Sequence, residues 1–194
     1  MKKKSLLLFT AFALFLASCN SNAKKEEQGN QVAADSLPAY DSDTSLKDPV
    51  DTSGNSNTTF VLKAAAGGMM EVELGNLAQQ NALSARVKKF GAMMVKDHSK
   101  ANEELKALAD TKNVLIPSKM PDKIQGHIDE MKKLRGKDFD KHYMSMMTDD
   151  HKDDIDLFEQ AAKGSDAELK AFATKTLPVL KMHLDSAKKI KGGL

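Results

Sequence analysis

The stretch Ser84–Lys112, SARVKKFGAMMVKDHSKANEELKALADTK, decides the fold. At alternating spacings of three and four, Val87, Gly91, Met94, Ala101, Leu105 and Leu108 fall on one line, and His98 falls on it too. Charged residues occupy the positions between, so the stretch reads as a long helix with one buried face. The same period recurs on both sides. It gives Phe60, Ala64, Gly67, Glu71, Leu74 and Ala78 before this stretch. After it come Met144, Met147, His151, Asp154 or Ile155, Phe158 and Ala162, and then Leu169, Phe172, Thr176, Leu180, His183, Ala187 and Ile190.

Stop and start signals divide this region into elements. The first helix is predicted from Phe60 to Gln80 with Thr58 or Thr59 as cap, and the second ends near Lys112, ahead of Pro117. A short helix over Pro121–Leu134 follows, with Pro in its first turn and Gly136 just past its end. The next spans Asp138–Lys163. The last opens at Ser165-Asp166-Ala167-Glu168, where Ser165 and Glu168 form a capping box, and Pro178 is expected to kink it. Met, Ala, Leu and Lys are plentiful, while aromatics make up 5% of the 194 residues, a balance that favours helices over sheets. The expected fold is all-α, a four-helix bundle with a short crossover helix over residues 59–194.

The N-terminus carries a different signal. Lys2, Lys3 and Lys4 precede an apolar run from Leu6 to Leu16, too short for an ordinary transmembrane helix and typical of an export signal. It ends at Leu16-Ala17-Ser18-Cys19, which resembles the bacterial lipobox. That resemblance implies cleavage after residue 18, lipidation of Cys19 and a membrane anchor at that residue. Asn20, in place of Asp, points to the outer membrane in the sorting rule of enteric bacteria, and Lys25-Glu26-Glu27 is similar to an acidic surface-export tether. Residues 19–58 read as a disordered spacer: three lysines stand against seven acidic residues, without a sustained period.

Charge and composition exclude several functions. Without residues 1–18 the chain has 26 basic against 27 acidic residues, which leaves no basic excess for nucleic acid. One cysteine cannot form an internal disulfide or a thiolate zinc site. Phosphate-binding glycine loops, the Gly-x-Ser-x-Gly elbow and the His-Glu-x-x-His helix are absent from the sequence.

What stands out is the inward polar set: Glu71, His98, His151 and His183, one from each long helix. Carboxylate oxygen and neutral imidazole nitrogen suit a divalent transition metal such as zinc, iron, manganese or copper(II). The competing reading is that each His bonds a nearby carboxylate, Asp97, Asp150, Asp154 or Asp185, and only fixes helix register. In that case the bundle serves as an envelope interaction module. Met94 and Met147 sit one turn from His98 and His151, an arrangement that suits copper(I); as adaptable core fillers they read first as packing. His127 and His142 are expected on the surface.

These residues also resemble a known family. Gly68-Met69-Met70-Glu71-Val72-Glu73-Leu74-Gly75-Asn76-Leu77-Ala78, the run from Phe90 to His98, Phe139-Asp140-Lys141-His142-Tyr143, His151, Phe158-Glu159 and Leu169 through Pro178 to His183 are similar to the bacterial ferritin-like domain called domain of unknown function 4142. The resemblance implies a ferritin-type bundle, with Glu71, His98, His151 and His183 as its polar positions, and no settled activity. Diiron bundles use Glu-x-x-His on two helices, whereas Val95, Thr148 and Leu180 stand three residues before the histidines here. A diiron oxygen-activating centre is therefore not expected.

Overall fold

The computed structural model describes residues 56–194. The export signal, Cys19 and the spacer as far as residue 55 lie outside the described residues. The described chain is an all-α helical bundle of five helices: α1 Ser56–Asn81, α2 Ala85–Thr111, α3 Asp122–Met131, α4 Gly136–Ala161 and α5 Ala167–Lys191. None of them is long and apolar enough to cross a membrane.

Contacts at the two ends of the bundle fix its topology. The turn after α1 lies against the start of α4, where Ala82 pairs with Gly136 and the amides of Leu83 and Ser84 donate to the Asp140 carboxylate at 3.1 and 2.9 Å. Arg86, at the start of α2, donates to the Gly193 carbonyl just past α5. At the other end, Phe60 packs edge-on against Phe158 at 5.1 Å and against Phe172 at 6.4 Å. Lys112 bridges Asp166 and Glu168 at 2.6 and 3.0 Å. Helices α1 and α5 therefore run one way and α2 and α4 the other. The segment holding α3 crosses the length of the bundle to join α2 to α4.

That crossing explains α1. An ordinary surface helix has one apolar stripe, but α1 buries Phe60, Val61, Ala64, Ala65, Ala66 and Met70 around much of its circumference. Helices α2 and α4 cover two of its sides and the α3 segment covers another. Small residues also let α2 approach closely. A Cβ at Gly91 would lie 2.7 Å from both the Gly75 carbonyl and the Ala78 Cβ, atoms that cannot swing aside.

Several local expectations are corrected. Thr58 and Thr59 lie within α1 and do not cap it. The N-cap of α5 is Asp166, whose carboxylate accepts from the Glu168 and Leu169 amides, displacing Ser165 from that role. Gly136 opens α4 at φ +63, a left-handed conformation that favours glycine, where a stop for α3 was expected. The proline at 178, expected to kink α5, does not end the helix, which spans Ala167–Lys191. His127 and His142 are partly buried, neither being fully on the surface.

The core has two apolar halves. Leu74, Phe90, Met94, Phe139, Tyr143 and Met147 belong to the half near the α1–α2 turn. Phe60, Leu105, Phe158, Phe172 and Leu180 belong to the other. Each fully buried side chain of this size contributes about 1.5–3 kcal/mol. Gly91→Ala tests the close approach. Alanine gains roughly 1 kcal/mol as a helix former, yet overpacking against backbone should lower unfolding stability by about 1–2 kcal/mol net. Urea denaturation measures it, and an unchanged or higher midpoint would show that α1 and α2 can separate freely.

Candidate metal centre

Glu71, His98, His151 and His183 each lie close to the midpoint of their helix, thirteen to sixteen residues from its first residue. At about 1.5 Å per residue each lies roughly 20–24 Å along. Because two helices run up and two run down, midpoints coincide, and the four side chains meet at one level between the apolar halves. Glu71 is 1% exposed, His98 5%, and His151 and His183 0%.

The Glu71 carboxylate reaches two rings. Its Oε2 lies 2.8 Å from His98 Nδ1 and its Oε1 lies 3.1 Å from His151 Nδ1. The third ring is held from the other side, with His183 Nε2 3.0 Å from Asp97 Oδ2. The ring centroids form a nearly equilateral triangle with sides of 5.6, 5.3 and 5.3 Å. One nitrogen from each ring lies within 4.8 Å of one from each of the others. His98 Nε2, His183 Nδ1, both nitrogens of His151 and both oxygens of Glu71 are buried without an aligned hydrogen-bond partner.

Burial dominates the electrostatics. It pushes the Glu71 carboxyl up to about 8. It holds His98 below the usual imidazole range, against the pull of Asp154 and Asp97. His151 is held well below that range by burial and then by the neighbouring His98 and His183 rings. His183 falls to about 4, also through burial, despite its hydrogen bond to Asp97. Near neutral pH the layer therefore holds three uncharged imidazoles, the protonation state in which imidazole binds a metal.

The other expected neighbours divide. Asp97 contacts His183 and is 26% exposed through its side chain. Asp154 lines a small cavity with Glu71 and His98, and burial followed by Glu71 raises its carboxyl well above the ordinary range. Met94 and Met147 are fully buried in the apolar half next to the layer. Asp150 is buried, and the three carboxylate–imidazole contacts of the layer are made by Glu71 and Asp97. Asp185 is likewise no partner of these rings.

Sequence reasoning passed over three residues. Asp140 reads as one acid in a polar helix, yet it is buried and holds the α1–α2 turn. Tyr143 is fully buried with an unpartnered hydroxyl. Asn102 packs where Gly68 leaves room, since a Cβ on Gly68 would fall 2.1 Å from Asn102 Oδ1. The paired glycines at 67 and 68 were the available signal.

A family model described as "Domain of unknown function (DUF4142)" matches residues 43–190. No curated protein and no solved structure matches the chain.

The opposed shifts set the pH dependence of the metal-free chain. Glu71 keeps its proton in the folded state to about pH 8 but loses it near 4.5 when unfolded, so its contribution falls as pH rises between these values. The imidazoles take up protons near 6.5 only when unfolded, so their contribution falls as pH drops below that. Three imidazoles outweigh Glu71 and Asp154 on the acid side. Thermal melts in chelator from pH 4 to 9 should therefore peak at about pH 6.5. Glu71→Gln should flatten the alkaline arm, and a wild-type profile flat from pH 5 to 8 would mean that the layer is wet.

Proposed function

We propose, since the chain belongs to the DUF4142 family and that description assigns no activity, that its polar layer binds a divalent transition metal and that Cys19 anchors the protein by lipid to the cell envelope. The observation that carries the metal reading is the set of three buried imidazoles, each offering one nitrogen within 4.8 Å of one from each of the others. A layer built only for packing would leave buried nitrogens on all three rings and both Glu71 oxygens without hydrogen bonds, at about 1–3 kcal/mol for each unsatisfied group. A metal ion can take one nitrogen from each ring at once.

The remaining contacts fit this role. Metal-bound histidines ordinarily donate their second ring nitrogen to a carboxylate, which fixes the tautomer and the ring orientation. Asp97 supplies this for His183, and Glu71 stands close to His98 Nδ1 and His151 Nδ1, without an aligned hydrogen bond to either. Imidazole donors suit zinc, copper, iron or manganese to different degrees, with zinc and copper(II) most favoured. Binding or sequestering such an ion, without a catalytic cycle, is the reading this donor set supports.

The anchor rests on Leu16-Ala17-Ser18-Cys19 behind a basic and apolar leader, with Asn20 favouring the outer membrane. The seven acidic residues of the spacer would keep it solvated and hold the bundle off the bilayer.

Elemental mass spectrometry on the full chain, purified in detergent without chelator and reloaded with zinc, copper, iron and manganese in turn, should find about one ion per chain for at least one metal. At a free concentration of a hundred times Kd that ion adds about 2.7 kcal/mol and raises Tm by roughly 5–10 °C. The double variant His98→Ala/His151→Ala should lose the metal-dependent rise. Equal stabilisation of the double variant, or no retained metal, would return the histidines to a packing role.

A further inference from the structure

We propose that the end of the bundle around the α1–α2 turn docks on an anionic lipid bilayer, its cations meeting the headgroup phosphates and Leu83 entering the interface. This is independent of the metal reading, and because it concerns the bundle itself it is separable from the lipid anchor at Cys19.

Charge is segregated by end. The starts of α2 and α4 and the end of α5 meet at the α1–α2 turn, through the Arg86 bond to the Gly193 carbonyl and the Ala82–Gly136 pairing. Segments 82–89, 132–141 and 186–194 carry eleven Lys and Arg against two acids, Asp138 and the buried Asp140. The rest of residues 56–194 carries twelve cations against eighteen acids. A small net charge thus covers a strong polarity along the bundle, with a positive field at one end.

Ion pairing follows the same division. Toward the opposite end lysines are matched with acids: Lys106 with Asp110, Lys112 with Asp166 and Glu168, Lys175 with Glu104. At the basic end Lys132 bridges Glu73 and Asp129, while among the described residues the exposed Lys88, Lys89, Lys188 and Lys189 enter no ion pair. Helix stability accounts for part of this placement. Lys188, Lys189 and Lys191 lie in the last turn of α5, where the helix dipole favours cations. Arg86, Lys88 and Lys137 lie in the first turns of α2 and α4, where it disfavours them, and α2 has no acid in its first turn. Cations set against the dipole and left unpaired suit an external anion.

The apolar tip selects a bilayer over nucleic acid. Leu83, in the turn among these cations, is 62% exposed. A phosphate surface with hydrocarbon beneath it satisfies both the cations and the leucine, whereas a polyphosphate chain leaves the leucine in water. Reach is sufficient. Helix α1 begins at the opposite end, and its 26 residues span about 39 Å. Residues 19–55 extend at most about 120–130 Å, so a chain held at Cys19 can set its basic end on the same bilayer. The acidic spacer is repelled by that surface, and the body of the bundle stands away from it.

The chain has no tryptophan. Leu83→Trp therefore gives the full chain a single indole at the basic end, and Leu115→Trp, at an 88% exposed position toward the other end, gives a control. Reconstituted from detergent into phosphatidylcholine vesicles containing about 30% phosphatidylglycerol, the Leu83→Trp chain should emit at shorter wavelength and be quenched by brominated lipid, and the Leu115→Trp chain should do neither. Phosphatidylcholine alone should leave both unquenched, and about 1 M salt, where the Debye length is about 3 Å, should reverse the effect. Lys88→Glu, Lys89→Glu, Lys188→Glu and Lys189→Glu together should lower the docked-to-free ratio by about a hundredfold or more, with circular dichroism run alongside to establish folding. A chain that floats with both kinds of vesicle but is unquenched at position 83 would overturn this inference and keep the anchor. One that floats only with the anionic vesicles and is quenched there would support it and remove the anchor. Equal quenching in phosphatidylcholine, or tighter binding to duplex DNA than to anionic vesicles at the same salt, would overturn the assignment to anionic lipid. The lipid dependence decides the point even if the fourfold charge variant does not fold.

Discussion

Placing Glu71 and three histidines in the middle of an apolar bundle is the constraint on which the structure turns. A charge at that depth lacks water and costs several kcal/mol unless it is paired or neutralised. The chain meets this by shifting its groups toward neutrality: the carboxyl holds its proton and the imidazoles release theirs. The result is a layer of uncharged donors set between two hydrocarbon clusters that exclude water from both ends.

The fold serves that layer through direction. Had α2 been joined to α4 by a short turn, α4 would run back alongside it and the connection would need no crossing. The long segment carrying α3 instead returns the chain to the end where α2 begins, so α4 runs parallel to α2 and antiparallel to α1. Level is then set by few contacts. Asp140 ties the start of α4 to the α1–α2 turn, and the Gly75–Gly91 approach sets how closely α1 lies on α2. The Lys112 bridges and the Asp166 cap hold the opposite end.

The donor set also separates this bundle from carboxylate-bridged diiron chemistry. Those centres place acids within a helical turn of each ligand histidine so that two ions share bridging oxygens. Here Val95, Thr148 and Leu180 occupy the positions three residues before the histidines. Glu71 stands 2.8 and 3.1 Å from two of the rings and Asp97 hydrogen-bonds the third. Under the proposed metal reading, three imidazoles suit a single nitrogen-ligated ion.

The all-α class, the four long helices, the short fifth between the second and third, and the inward direction of Glu71, His98, His151 and His183 were legible in the sequence. Helical period is a local property, and a polar residue on an apolar stripe is visible wherever it occurs. Local detail was less legible where two signals compete within one turn, as with Ser165 and Asp166, or with a glycine able to end one helix or begin the next. Other features were decided only by tertiary structure, since they depend on distances between helices that no single segment encodes. These include the common level of the four polar residues, the burial of Asp140, and the cavity left by Gly68 and Ala101. The same holds for the hydrogen bond from His183 on α5 to Asp97 on α2, which joins residues 86 positions apart.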